Sequence, residues 1–363
     1  MAVEDVFGAT TVWHSEIDPA ASKVLAYRYP GVPNLSDITQ VNWGAIEPVD
    51  ILCGGFPCQD VSTAGRRAGI RDGTRSGLWA EMARVISIHS PTWVVIENVM
   101  GLLSATAHRN LEPEDSTMGD RTSRPVLRAM GAVLGDLFEL GYDAQWTTVR
   151  ASDIGAPHRR ARVFILANAP GAGRAGDIPE AEPGLPGWHC DDAELLTTPQ
   201  ARDWKGTNSN SGGPWQSLPR DISEIAVNLR HTPNLGAVSH YLPTPSASDG
   251  TGGGQHPDRR EGHTRQLCDY ALMDGTTRWG KYGPAIARWQ AIVGPAPAPT
   301  EPNKNGNPRL NAAFSEWMLG WPAGWVTTVP GVSRNDALRI VGNGVCPQQA
   351  TAALRYLLTV AAL

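Results

Sequence analysis

Two short apolar runs constrain this chain most. Val49-Asp-Ile-Leu-Cys53 leads into Gly54-Gly-Phe-Pro-Cys58-Gln-Asp-Val-Ser62, and Trp93-Val-Val-Ile96 leads into Glu97-Asn98-Val99. Each run carries β-branched residues and stops at polar groups, which reads as a buried parallel strand ending at a site. In open α/β sheets chemistry gathers outside the carboxyl ends of such strands. Here one strand end delivers a thiol, Cys58, and the other a carboxylate, Glu97.

The first 167 residues alternate strand-like and helix-like patterns. Strands are expected at Thr11–Glu16, Asp50–Cys53, Trp93–Ile96, Tyr142–Arg150 and Arg162–Ala167, and helices at Ala20–Tyr29, Gly77–Ile88 and Val126–Leu140. This alternation predicts an α/β fold with a mainly parallel, doubly wound sheet. From about Ala169 to Asn307 Gly, Pro, Ser and Asn abound and long helical periods are few; helical patterns return at Asn311–Leu319 and Pro347–Leu358. Three segments follow: an α/β lobe over 1–168, a loop-rich lobe over 169–335, and a return to the first lobe over 336–363. The middle segment repeats Thr198-Pro-Gln-Ala-Arg-Asp203 as Thr244-Pro-Ser-Ala-Ser-Asp249, either as two similar turns or as a duplicated DNA-facing element.

Bulk properties exclude several classes. The 363 residues contain no apolar run of membrane-spanning length, and the start lacks the basic-then-apolar pattern of a secretion signal. The 5 cysteines are odd in number and irregularly spaced, which favours reduced thiols and a cytoplasmic location. Net charge is -5, yet Ala201–Leu310 holds 12 Lys+Arg against 9 Asp+Glu, and local fields steer polyanions. His189, Cys190, His256, His263 and Cys268 show no paired ligand spacing, so no metal is expected.

Cys58 lies just past a strand end, after glycines that let the chain turn and a proline that sets the approach. A helix beginning beyond it would favour the thiolate, the reactive form. An inert buried cysteine, or a redox pair with Cys53, is the competing reading; the spacing is not Cys-x-x-Cys. Glu97, taken alone, is also suited to capping the next helix. Gln59 to Gly77 forms a glycine-hinged basic loop with Arg66, Arg67, Arg71 and Arg75, a lid for DNA phosphates or simply a solvated loop. Gln59 and Ser62 stand beside it as DNA contacts, and Trp204, Lys205, Arg259, Arg260 and Arg265 are candidates in the middle lobe.

Phe56-Pro-Cys58-Gln-Asp-Val-Ser62 with Glu97-Asn98-Val99 resembles the bacterial and phage DNA cytosine-5 methyltransferase family. The resemblance covers Glu16 to about Ile165 and Asn311 to the C-terminus, and it implies that 1–168 with 336–363 form the catalytic and cofactor-binding lobe and 169–335 the target-recognition lobe. It implies a Rossmann-like S-adenosyl-L-methionine-dependent enzyme that flips a cytosine out of double-stranded DNA and methylates C5 through a Cys58–C6 adduct. Glu97 would act on the cytosine N3 and exocyclic amine, with Asn98 holding the loop. In His158-Arg-Arg160-Ala-Arg162 the two arginines match those of the family's Gln-x-Arg-x-Arg block, which hold the flipped base and the backbone near the cysteine; His158 replaces the glutamine. For the cofactor the resemblance implies Glu16 at the ribose with Ile17 beside it, Asp37 and Ile38 at the adenine, Pro57, Leu78 as an apolar contact, and Asn343-Gly344 as the closing turn. It also implies an N-terminally short chain, because Met1 to Gly8 looks like the helix that follows the family's first strand and its Phe-x-Gly-x-Gly loop. A monomer is expected, with a cognate restriction endonuclease as a further partner. A DNA-binding protein of the same fold that no longer methylates, and an RNA cytosine methyltransferase, remain open.

Overall fold

The structure, a computed structural model, describes residues 1–57, 77–105, 129–170, 240–250, 266–272 and 279–361. Packing divides the chain into two compact units that interleave along the sequence. The first comprises Met1–Asp37, Arg150–Ala161 and Thr232–Ala352, the second Ile38–Val149, Arg162–His231 and Ala353–Leu363. Residues 240–250, 266–272 and 279–335 pack with the N-terminal residues in the first unit, whereas 169–170 belong to the second.

The second unit is built on a sheet whose strands are β1 (Ile51–Gly55), β2 (Trp93–Val99), β3 (Asp143–Arg150) and β4 (Ala161–Asn168), in the order β1-β2-β4-β3. β1 and β2 are parallel, as a strand–helix–strand crossover requires, with Gly55 opposite Glu97. β2 and β4 are antiparallel, with Val99 opposite Arg162, so the sheet is mixed on this side. The reason lies in the connection: β3 and β4 are neighbours joined through Ala151–Arg160, which offers one 3-10 turn, Ala151–Ile154, and no crossover helix. Val94, Val95 and Ile96 of β2 and Val163 to Ala167 of β4 are buried, as central strands covered on both faces demand.

Helix α3 (Gly77–His89) and helix α5 (Ala129–Glu139) lie in this unit, with the short α4 (Gly101–Ser104) between them; α1 (Ala2–Phe7) and α2 (Pro19–Arg28) belong to the first unit. Trp79, Met82, Val85 and Ile86 recur at helical spacing on α3 and are all buried. Opposite them Gly54 lacks a side chain, and a Cβ there would meet the Met82 Sδ at 3.4 Å. Trp79 Nε1 donates to Asp136 Oδ2 at 2.7 Å, which joins α3 to α5 and satisfies a buried indole.

In the first unit the expected strand at Thr11–Glu16 is reduced to one parallel bridge, His14 with Asn34. Pro33 has no N–H to extend a ladder, and the Asn34 side chain takes the strand's place. Its Oδ1 accepts from the Glu16 amide at 2.9 Å and its Nδ2 donates to the Glu16 carbonyl at 2.9 Å. Helices α6 (Leu267–Ala271), α7 (Gly283–Val293), α8 (Ala312–Met318) and α9 (Arg334–Asn343) complete the unit, and α10 (Pro347–Ala361) runs from it into the last segment of the second unit. Trp279, Trp289, Phe314 and Trp317 form its aromatic core, with Phe314 stacked on both Trp279 and Trp317 at 5.6 Å. Glu316 is buried, but its carboxylate accepts the amides of Gly324 at 2.8 Å and Val326 at 2.5 Å, and the Thr327 hydroxyl at 3.0 Å. Those donors offset the cost of burying the charge.

Candidate active site

At the carboxyl end of β1 the chain reaches Phe56 and Pro57; Cys58, Gln59, Ser62, Arg66, Arg67, Arg71 and Arg75 lie outside the described residues. Two contacts fix the approach to the cysteine. Phe56 is buried against Trp79, ring centroids 5.3 Å apart. Asn98, at the end of β2, donates from Nδ2 to the Phe56 carbonyl at 3.0 Å, while its Oδ1 accepts from the Val99 amide at 2.8 Å. Asn98 thus holds the loop, as expected of it, and does so from a buried position.

Glu97 stands one residue earlier, opposite Gly55. A Cβ on Gly55 would approach the Glu97 backbone carbonyl to 2.9 Å, so glycine lets the two strand ends come this close. Arg162 Nε donates to Glu97 Oε1 at 2.7 Å, with 15% of the arginine side chain and 25% of the glutamate's exposed. Burial pushes the Arg162 guanidinium down, and Glu97 partly offsets that shift. Pro57 is exposed and Leu78 half-buried on the first turn of α3.

All but one of the remaining candidates fall in the first unit. Glu16 Oε1 accepts the amide of Asp18 at 2.7 Å, and among the described residues Oε2 has no hydrogen-bond partner. Ile17 beside it is 68% exposed, an apolar side chain presented to solvent. Asp37 closes the segment Met1–Asp37, whereas Ile38 opens the second unit, where its carbonyl accepts from Trp43 Nε1 at 3.3 Å. Asn343 is exposed at the end of α9, and the Gly344 amide closes the helix onto the carbonyls of Ile340 and Val341, each at 3.0 Å. A Cβ on Gly344 would run into the Trp321 ring, whose Nε1 donates to the Val345 carbonyl at 2.7 Å. A carboxylate oxygen such as Glu16 Oε2 suits a ribose diol, and an exposed apolar side chain such as Ile17 suits a base.

Arg160 and His158 are placed differently from Arg162. Arg160 is buried and donates to the carbonyls of Gly344 at 2.5 Å, Gly342 at 3.1 Å and Pro245 at 3.4 Å. Its own carbonyl accepts from Gln349 Nε2 at 2.9 Å. Arg160 therefore binds the backbone of the Gly342–Gly344 turn, and of the two arginines Arg162 is the one paired with Glu97. His158 is fully buried, with Nε2 against the Met318 carbonyl at 3.0 Å. Asp249, ending the second Thr-Pro repeat, is buried in a 3-10 turn and accepts from the Ser246 amide at 2.7 Å. That copy is a turn packed inside the unit; the first copy, like Trp204, Lys205, Arg259, Arg260, Arg265, His189, Cys190, His256 and His263, lies outside the described residues. Among the described residues no cluster could hold a metal ion, and no helix is long and apolar enough to cross a membrane.

Sequence reasoning passed over Asn34, Asp18 and Arg339. Asp18 carried a signal, an acidic residue before Pro19 at a helix start; Arg339 carried none.

Residues 3–181 match the C-5 cytosine-specific DNA methylase family. The type II methyltransferase M.NlaIV of Neisseria lactamica is 36% identical over 154 residues, covering 42% of this chain and 33% of that protein. A protein of Escherichia phage P1 named DNA N-6-adenine-methyltransferase is 33% identical over 199 residues, 45% of this chain and 26% of its own. The chain thus spans about a third of the length of the curated relatives it matches. The Schizosaccharomyces pombe Dnmt2 methyltransferase has the same fold, with a TM-score of 0.50 at 14% identity over 99% of this chain and 94% of that one. Residues 3–181, which include the Pro57 strand end and the Glu97-Asn98 strand end beside it, are thus similar to the C-5 cytosine-specific DNA methylase family.

Proposed function

We propose that the protein is a DNA cytosine-5 methyltransferase that takes its methyl group from S-adenosyl-L-methionine. The observation that carries this reading is the Gly55–Glu97–Arg162 arrangement, with Asn98 fastening the chain two residues before Cys58. Cytosine C5 is a weak nucleophile, and covalent catalysis makes it a stronger one. The Cys58 thiolate adds to C6 of a flipped cytosine. Glu97 accepts from the exocyclic amine and shares a proton with N3, so that the electron pair displaced from the C5–C6 bond is stabilised. When bound, the donor supplies the methyl group that C5 attacks. Loss of the C5 proton and departure of the Cys58 thiolate then restore the ring. Arg162 fixes the Glu97 carboxylate before the base arrives, and Arg160 holds the Gly342–Gly344 turn. Within the first unit Glu16, Ile17, Asn343 and Gly344 would hold the donor.

Double-stranded DNA is the substrate in this reading, and a cognate restriction endonuclease is its counterpart. Nucleoside analysis of plasmid DNA from cells expressing the chain tests it: 5-methyldeoxycytidine is expected. N6-methyladenine instead would place the chain with the phage P1 relative. A 5-fluorocytosine duplex should be trapped covalently by the full chain, whereas reversible binding alone would favour a DNA-binding protein without catalysis.

A further inference from the structure

Asp18 and Arg339 are 321 residues apart in sequence, yet they form a two-pronged ion pair within the first unit. Arg339 Nη1 donates to Asp18 Oδ2 at 2.7 Å and Nη2 to Asp18 Oδ1 at 3.1 Å, while Nη2 also reaches Asp336 Oδ1 at 3.1 Å. Asp18 is engaged on its other sides as well. Its Oδ1 accepts the amides of Ala20 at 3.0 Å and Ala21 at 2.8 Å, capping α2, and its own amide donates to Glu16 Oε1 at 2.7 Å. On α9 Arg339 and Asn343 are four residues apart, hence on one side of the helix, a turn from each other. A continuous series of contacts therefore runs from the Glu16 carboxylate through Asp18 to Arg339, one turn before the end of α9.

We infer that the Asp18–Arg339 pair is a positioning device for the methyl donor, fixing the Glu16–Ile17 turn against the helix that ends in Asn343-Gly344. The inference rests on the donor-site reading above. Two observations favour positioning over stability as its task. The pair is partly solvated, with 37% of the arginine and 28% of the aspartate side chain exposed, and such pairs contribute little to folding. Its two-pronged geometry, however, sets orientation as well as distance. The Arg339 guanidinium holds the Asp18 carboxyl below its usual range, and Asp18 in turn raises Arg339, so both partners report the same attraction. Both side chains are engaged with protein groups, and both are positioning residues in this reading.

The test uses the full chain carrying Arg339→Met, Asp18→Asn or both. Asparagine still caps α2, so Asp18→Asn remains informative even where Arg339→Met folds poorly. Calorimetric titration with S-adenosylhomocysteine should show about tenfold weaker binding for each single variant, and no further loss in the double, because the two residues act as one device. Turnover at saturating donor should stay within about twofold of the parent, and the urea midpoint should hardly move. Unchanged affinity in both singles, or losses that multiply in the double, would overturn the inference. A parent chain that binds neither S-adenosylhomocysteine nor S-adenosylmethionine would instead overturn the donor-site reading, and the pair's task with it.

Discussion

Replacing Asn98 by alanine removes two hydrogen bonds at the point where the chain approaches Cys58. The two groups left behind are not equal. Val99 is 39% exposed, so water can replace the partner its amide loses, at little cost. Phe56 is 6% exposed, and its carbonyl loses its Asn98 donor in a dry setting, which costs about 1–3 kcal/mol. A total of about 1–3 kcal/mol leaves the protein folded, since domains are stable by roughly 5–15 kcal/mol. With a urea dependence of about 3 kcal/mol per M, the unfolding midpoint should fall by ~0.3–1 M. Activity should suffer more than stability, because a misplacement of about 1 Å at a reacting group costs on the order of 100-fold in rate. Asn98→Asp should be worse, since a carboxylate would then face the Phe56 carbonyl. Equilibrium unfolding beside single-turnover methyl transfer measures both effects. Wild-type turnover and an unmoved midpoint in Asn98→Ala would refute the role given to this bond.

Cys58→Ser should abolish methylation while duplex binding, measured by mobility shift, stays within a few-fold of the parent, because affinity comes from phosphate and base contacts. Gly55→Ala drives a Cβ into the Glu97 carbonyl, 2.9 Å away; a loss of about 1–3 kcal/mol and a sharp fall in turnover are expected, read by denaturation and initial rate. Burial, with Asp269 nearby, pushes the Asp249 carboxyl up to about 6 despite the Ser246 amide and Arg334. The folded state then binds that proton more tightly than the unfolded chain, so this group's contribution favours folding at pH 4 and is lost as pH rises through about 6. Asp249→Asn should flatten that slope in unfolding curves at pH 4 to 8 and stabilise the protein above pH 6. Exchanging residues 171–239 for the matching segment of a relative should change the sequence methylated but not the atom, as methylome sequencing would show; a wider exchange would remove Leu242, Trp279 and Trp289 from the core. Burial pushes the Cys346 thiol up to about 12, so maleimide at neutral pH should leave it unmodified, as peptide mapping would show.

Periodicity and composition made much of the second unit legible. β1, β2 and β4 and helices α3 and α5 stand within a few residues of where apolar spacing puts them. The antiparallel pairing of β2 with β4 was not legible, because strand direction depends on how short the β3–β4 connection is. At the site, residue types were readable and their partners were not. Arg160 and Arg162 sit two apart in one motif, yet one guanidinium is committed to carbonyls up to 184 residues away and the other to Glu97. Asn34 standing in for a strand partner, and Asp18 meeting Arg339, likewise follow from packing between distant segments and leave no local pattern.

The long reach of those contacts bears on how the protein is made. Arg28 grips the carbonyls of Gly324 and Trp325, Lys23 that of Gly331 at 3.0 Å, and Thr351 reaches Asp5 at 3.4 Å. The N-terminal segment Met1–Asp37 therefore finds these partners only once nearly all of the chain has left the ribosome. At about 5–20 residues per second that is a wait of roughly 15–60 s, during which α1 and α2 have not yet met them. Ribosome profiling with chaperone capture should then find this segment engaged by holdases until residues near 350 emerge, and messages truncated upstream of α9 should yield products cleared by proteolysis.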